Sequence, residues 1–112
     1  KLGRKDLLII GSGSGSTRSV LTIAEVAQKF NVPIVTVTAS PTAAIPNMSS
    51  AKITLACNLG VDLIQNGVNS KQPMTSLFEQ SLLVLIDSIT LLLMEVLAET
   101  SSSMKERHNI LE

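Results

Sequence analysis

The chain has 112 residues, a length that fits one domain at the usual scale of roughly 100–200 residues. Nine Lys plus Arg against nine Asp plus Glu give a net charge of zero, and Phe30 and Phe78 are the only aromatics, so the basic footprint and stacking platforms of a nucleic-acid binder are both missing. At 45% hydrophobic residues the chain is too apolar for disorder, and its core must be aliphatic. The first element is Leu7-Leu8-Ile9-Ile10, a short apolar run closed by glycine, which predicts a strand buried on both faces of a parallel sheet. A Ser and Gly loop follows, then a helix with Val20, Ile23, Ala24 and Ala27 on one stripe and Arg18, Ser19, Thr22, Glu25 and Gln28 on the other face. Asn31-Val32-Pro33 stops that helix, and the β-branched run Ile34-Val35-Thr36-Val37-Thr38 predicts a second strand.

A short helix is expected over residues 45–50 with Pro46 in its first turn, and Ala51-Lys52-Ile53-Thr54-Leu55-Ala56 reads as a third strand. Residues 57–72 have little periodicity, and an irregular connection of that length is expected to border a site. Residues 73–99 predict a long helix, apolar on most of its circumference from Leu77 and Phe78 through Leu82, Leu85, Ile86, Ile89, Leu93 and Leu97, and therefore covered on several sides. Its most apolar part, residues 80–94, is interrupted by Asp87 and falls short of the roughly 18 apolar residues of a membrane span, so no membrane partner is expected. Ser103-x-x-Glu106 has the form of a capping box for a last short helix carrying Arg107 and His108.

These elements predict an α/β three-layer sandwich with a parallel sheet. Three strands with two substantial helices cannot cover both faces of such a sheet. The domain is therefore expected to be incomplete at its N-terminus and to rely on further strands and helices. Cys57 is the one cysteine, so an intrachain disulfide is excluded, and no Cys or His spacing suits a metal; a reduced thiol in a cytoplasmic protein without metal or cofactor is expected. The opening residues, Lys1-Leu2-Gly3-Arg4-Lys5-Asp6, have no signal-peptide pattern.

The chemistry concentrates after the first strand. Ser12, Gly13, Ser14, Gly15, Ser16 and Thr17 place hydroxyls among glycines at a helix N-terminus, where unpaired amides and the helix dipole favour an anion. A flexible turn with Ser16 or Thr17 as an ordinary N-cap fits the same residues. A nucleotide P-loop is disfavoured because Gly15-Ser16-Thr17 lacks its lysine. A dinucleotide fingerprint is disfavoured because Ser16 replaces its third glycine and no acid follows the second strand. A small phosphate such as a sugar phosphate remains.

Ser12-Gly13-Ser14-Gly15-Ser16-Thr17, with Ala24, Ala27 and Lys29 after it, resembles the phosphosugar-binding loop of the sugar isomerase (SIS) domain family. Gln72-Pro73-Met74-Thr75-Ser76-Leu77-Phe78-Glu79-Gln80 and Arg107-His108-Asn109-Ile110-Leu111-Glu112 resemble the active-site helix start and C-terminal tail of its hexulose-6-phosphate isomerase branch. The resemblance implies an SIS-type (flavodoxin-like or Rossmann-like) fold, the C-terminal portion of such a protein, a homotetramer, and isomerisation of 3-hexulose 6-phosphate to fructose 6-phosphate through an enediol. It departs at Thr75, where the family usually has glycine. A non-catalytic sugar-phosphate sensor built on the same domain is the alternative.

The resemblance implies Glu79 as the general base, moving a proton between adjacent sugar carbons, with Phe78 and Leu82 desolvating it in part. The pattern alone favours a cap, because Ser76-x-x-Glu79 is itself a capping box. His108, the single histidine, is implied as the group passing a proton between sugar oxygens, although a solvated tail residue would look the same. Lys71 and Gln72, just before the helix, are candidate substrate contacts.

Overall fold

Leu8–Gly11 (β1), Ile34–Thr38 (β2) and Ala51–Thr54 (β3) form one sheet in the order β1-β2-β3 in the computed structural model, which describes residues 3–59 and 70–108. Both ladders are parallel, with Leu8 opposite Ile34, Gly11 opposite Val37 and Thr38 opposite Thr54. The connections are the helices Arg18–Lys29 (α1) and Ala44–Asn47 (α2), which makes two strand-helix-strand crossovers. Ser76–Val96 (α3) and Ser101–His108 (α4) complete the order. The chain divides into two units, Lys1–Leu82 and Leu83–Glu112.

In the first unit the pleat sorts side chains onto two faces. Ile10 and Ile34 face α1 and α2, where they form a buried cluster with Ala24, Ala27, Val32 and Ile45. Small alanines at the contact let α1 lie close to the sheet. On the opposite side Ala39, Cys57 and Phe78 form a second cluster, joined by Leu77 and Leu82 from the first turns of α3. α1 and α2 thus cover one face of the sheet, and the start of α3 touches the other only near the carboxyl end of β1.

α1 ends at Asn31, whose left-handed φ of 55° is one that Asn tolerates better than most residues. Val32 N–H then reaches Ala27 O and Asn31 N–H reaches Gln28 O, a Schellman closure that satisfies the last carbonyls before Pro33 resumes extended chain. Pro46 is the third residue of α2, where its missing N–H breaks no helical bond. The stripe on α1 differs from expectation at one position: Ile23 is 56% exposed and Leu21 packs toward the core instead.

Two expectations about coverage are corrected. β1 is not buried on both faces, since Ile10 is buried but Ile9 is 56% exposed; apart from Leu82 against Gly11, little among the described residues covers that face. All four residues of β3 are exposed. α3 is also long and apolar enough, by length and composition, to cross a membrane, because the helix extends beyond residues 80–94 on both sides. Its first turns are nevertheless committed to the second cluster, with Phe78 only 3% exposed, and the part beyond Leu82 is shorter than the roughly 20 residues a span needs.

In the second unit α3 closes at Ala98, with Glu99 N–H on Met94 O and Ala98 N–H on Glu95 O, again a Schellman arrangement. α4 starts one turn earlier than the Ser103-x-x-Glu106 pattern suggests. Ser103 N–H donates to Thr100 Oγ1 at 3.2 Å and Thr100 N–H donates to Ser103 Oγ at 3.0 Å, so the reciprocal box is Thr100-x-x-Ser103. Leu83, Val84, Leu91, Leu92, Val96 and Leu97 are exposed along this part of the chain, in contrast to the covering on several sides that their pattern predicts.

Candidate functional site

Ser12 to Thr17 leave the carboxyl end of β1, the edge at which open parallel sheets bind ligands. The loop folds on itself first: Gly15 N–H donates to Ser12 O at 3.2 Å and to the buried Ser12 Oγ at 3.1 Å. Gly15 has φ +61°, and a Cβ there would stand 2.9 Å from Ala43 Cβ and 3.0 Å from Pro46 Cδ, so both conformation and space require glycine. Gly13 is needed for a different reason. A Cβ on it would lie 2.9 Å from Leu59 Cδ2 and 3.2 Å from the Phe78 ring, which brings the first turn of α3 directly against the loop.

The hydroxyls of the loop do not cap the helix. Thr17 is the N-cap residue of α1, yet its side chain makes no capping bond; Thr17 Oγ1 lies 3.4 Å from Ser14 Oγ instead. Ser16 N–H turns to Ser14 Oγ at 3.4 Å. The first helical bond of α1 runs from Leu21 N–H to Thr17 O, and among the described residues the amides of Gly13, Ser14, Thr17, Arg18, Ser19 and Val20 have no acceptor. An ordinary N-cap turn is thereby excluded as the role of these hydroxyls. Four helical-end donors, the positive dipole end and two hydroxyls side by side form a surface suited to a dianionic phosphate.

Glu79 sits beside Phe78 in the first turn of α3, one residue from the ring that packs on Gly13. The Ser76-x-x-Glu79 box does not form. Ser76 lies inside the helix and its hydroxyl donates to Pro73 O at 2.8 Å, while Glu79 Oε1 accepts from Thr75 Oγ1 at 2.8 Å. The carboxylate is therefore not used on a backbone donor, and Thr75 holds it by a side-chain bond. Phe78 is buried but Glu79 is exposed, so the partial desolvation expected of it is not found.

The loop and the start of α3 are thus brought together. Gln72 belongs to the same neighbourhood, its Nε2 donating to Gln80 Oε1 at 3.1 Å, and Lys71 beside it is exposed. His108 is exposed at the last position of α4 and belongs to the second unit, not to the one carrying the loop and Glu79. Residues 60–69 of the connection expected to border the site, and Asn109 to Glu112 of the tail, lie outside the described residues. Among the described residues no group of three His, Cys, Asp or Glu side chains is placed to hold a metal ion. Sequence reasoning missed Thr38, whose wholly buried hydroxyl meets the loop at Gly13 O; its signal was a polar residue alternating with Ile34 on a face that a central parallel strand should fill with hydrocarbon.

A 3-hexulose-6-phosphate isomerase of Bacillus subtilis is 35% identical over 111 residues, a match covering 99% of this chain and 60% of that protein. An uncharacterised protein of Methanothermobacter thermautotrophicus is 29% identical over 115 residues, covering 96% of this chain and 58% of its own length. The chain thus spans about three-fifths of the curated relatives it matches. Among solved structures, a Methanococcus jannaschii protein whose crystal structure was taken to infer a molecular function of 3-hexulose-6-phosphate isomerase superimposes with a TM-score of 0.75 at 28% identity, over 96% of this chain and 55% of that one. A second crystal structure, of a hypothetical protein, matches in fold with a TM-score of 0.79 at 20% identity, over 96% of this chain and 57% of that one. The family model for the SIS domain matches residues 1–86, which hold all three strands, the hydroxyl loop and the start of α3, and the chain belongs to the SIS domain family.

Proposed function

We propose that this chain carries the phosphate-binding loop and the base of an isomerase that converts 3-hexulose 6-phosphate to fructose 6-phosphate. The observation that carries the reading is the uncapped start of α1, where Thr17 and Ser14 hydroxyls and unpartnered amides converge next to the helix that bears Glu79. The sequence relation to a 3-hexulose-6-phosphate isomerase supports it.

In the reaction the sugar phosphate anchors on Ser12 to Thr17, which sets the position of its carbon chain. Glu79 takes the proton from C2, the C3 carbonyl oxygen gains a proton, and the product of this step is the 2,3-enediol. The O2 hydroxyl then loses its proton as Glu79 returns one to C3, leaving the carbonyl at C2. His108 serves the two oxygens, since an imidazole can both accept and donate a proton. Lys71 and Gln72 contact the sugar. Thr75 keeps the Glu79 carboxylate in one orientation through the 2.8 Å bond.

The exposed leucines and valines of the second unit support a homo-oligomer, a tetramer in this reading, because apolar surface of that extent marks an interface. Association brings His108 to a site, of its own or a neighbouring subunit. The same reading places the protein in the cytoplasm. The test is conversion of 3-hexulose 6-phosphate by the intact polypeptide in heavy water, with fructose 6-phosphate appearing and deuterium entering its carbon skeleton. Saturable binding without conversion supports a sugar-phosphate sensor instead.

A further inference from the structure

We infer that Thr38, at the end of β2, is a positioning residue that sets the orientation of the phosphate loop. The inference rests on the loop being the phosphate site and concerns what holds it in shape before ligand arrives. Thr38 is wholly buried, and its hydroxyl is used in both directions: it donates to Gly13 O at 3.2 Å and accepts from Ser40 N–H at 3.0 Å. Ala39 N–H donates to the same Gly13 oxygen at 3.1 Å.

The consequence follows from peptide planarity. In a trans peptide the C=O and the next N–H point in opposite directions. Two donors drawing Gly13 O toward the end of β2 therefore turn Ser14 N–H away from it, and Ser14 N–H is one of the unpartnered amides of the loop. The next fixed peptide works alike. Ile45 N–H holds Gly15 O at 2.9 Å, which turns Ser16 N–H toward Ser14 Oγ. Gly15 itself rests against the Thr38 hydroxyl, Ala43 and Pro46, so the back of the loop is a wall built from β2 and α2.

Valine at this position keeps the shape of threonine and its β-branch but leaves Ser40 N–H without its acceptor and Gly13 O with one donor fewer. Serine keeps both bonds. In the intact protein, Thr38→Val is expected to raise the dissociation constant for fructose 6-phosphate, and KM with it, about tenfold, the loss of one hydrogen bond's ordering effect. The turnover number should move far less, because Glu79 is untouched, and Thr38→Ser should restore affinity to within about threefold of wild type, a smaller margin than one lost bond. A general packing defect would not be rescued by the smaller serine.

Ser14→Ala with Thr17→Ala runs beside these as the reference. If that pair leaves affinity unchanged, the loop is not the site and the functional reading fails. If the pair weakens binding while Thr38→Val binds like wild type, the role of Thr38 alone is overturned. Should the valine variant not fold, Thr38→Ala carries the same comparison. Amide exchange gives a check without mutation: Ser40 N–H is expected to be protected in the unliganded wild-type protein, and exchange as fast as in an unstructured peptide would contradict the inference.

Discussion

The starts of α1 and α4 are both rich in hydroxyls, and they do opposite things with them. At α4, Thr100 and Ser103 exchange bonds through side chain and backbone, and the helix end is satisfied from within. At α1, Thr17 stands in the N-cap position and makes no capping bond, its hydroxyl turned to Ser14 while the amides behind it have no acceptor among the described residues. Composition does not separate the two. What separates them is the chain before each helix: Gly13 and Gly15 hold the α1 loop against Phe78 on one side and against Ala43 and Pro46 on the other, so its hydroxyls serve the loop mouth and not the helix. An anion at α1 would replace the cap that the chain itself supplies at α4.

The largest effect expected of any single change lies beside the α1 loop. Glu79→Gln keeps the size of the side chain and its bond from Thr75 but removes the proposed base, so isomerase turnover of the intact protein should fall by roughly 10²–10⁴ with fructose 6-phosphate affinity retained. Steady-state rates and calorimetry on the same preparation separate the two. Isomerisation at the wild-type rate would remove Glu79 from the reaction.

Next in size is the loop itself. Ser14→Ala and Thr17→Ala should each weaken fructose 6-phosphate binding by about 1.5–3 kcal/mol, the worth of a hydrogen bond to a charged group, with thermal stability little changed because neither hydroxyl caps α1. Calorimetric titration reads the first and thermal melting the second. At the other helix the pattern should invert. Thr100→Ala removes a real cap and should lower stability by about 0.5–2 kcal/mol in denaturant unfolding, while sugar-phosphate affinity stays where it was.

The smallest expected effect sharpens the contrast most. A carboxylate at the uncapped position, Thr17→Asp, supplies the negative charge that the dipole and amides of α1 attract, and should stabilise the unliganded protein by about 0.3–1 kcal/mol. The same charge should abolish detectable phosphate binding. Gain of stability together with loss of binding, in one variant, would mark the site as an anion site left open.

Much of this was legible in the residues, in proportion to how local the physics is. α1 and β2 follow from an amphipathic stripe, the stop at Asn31-Val32-Pro33 and a β-branched run, all interactions within a few residues. The hydroxyl loop was legible as a phosphate candidate because its chemistry is carried by consecutive residues. The caps were not: Ser76-x-x-Glu79 and Ser103-x-x-Glu106 match a pattern that says nothing about where the helix begins, and Thr75 and Thr100 settle that by preceding the first turn. Nor was the reason for Gly13, which depends on a ring from α3 arriving after 60 intervening residues and more of chain. Thr38 was hidden for a related cause. In a β-branched strand a threonine reads as propensity, and only the register of β2 against the loop shows its hydroxyl at work.

In the proposed function a phosphate completes the start of α1, whereas the start of α4 is completed by its own side chains. Amide chemical shifts in the intact protein, followed through a titration with fructose 6-phosphate, test it residue by residue. Saturable shifts are expected at Gly13, Ser14, Thr17, Arg18 and Ser19 with one common affinity, and no comparable change at Thr100 to Ser103. Saturable binding that leaves the α1 amides unmoved, or moves both helix starts alike, would contradict it.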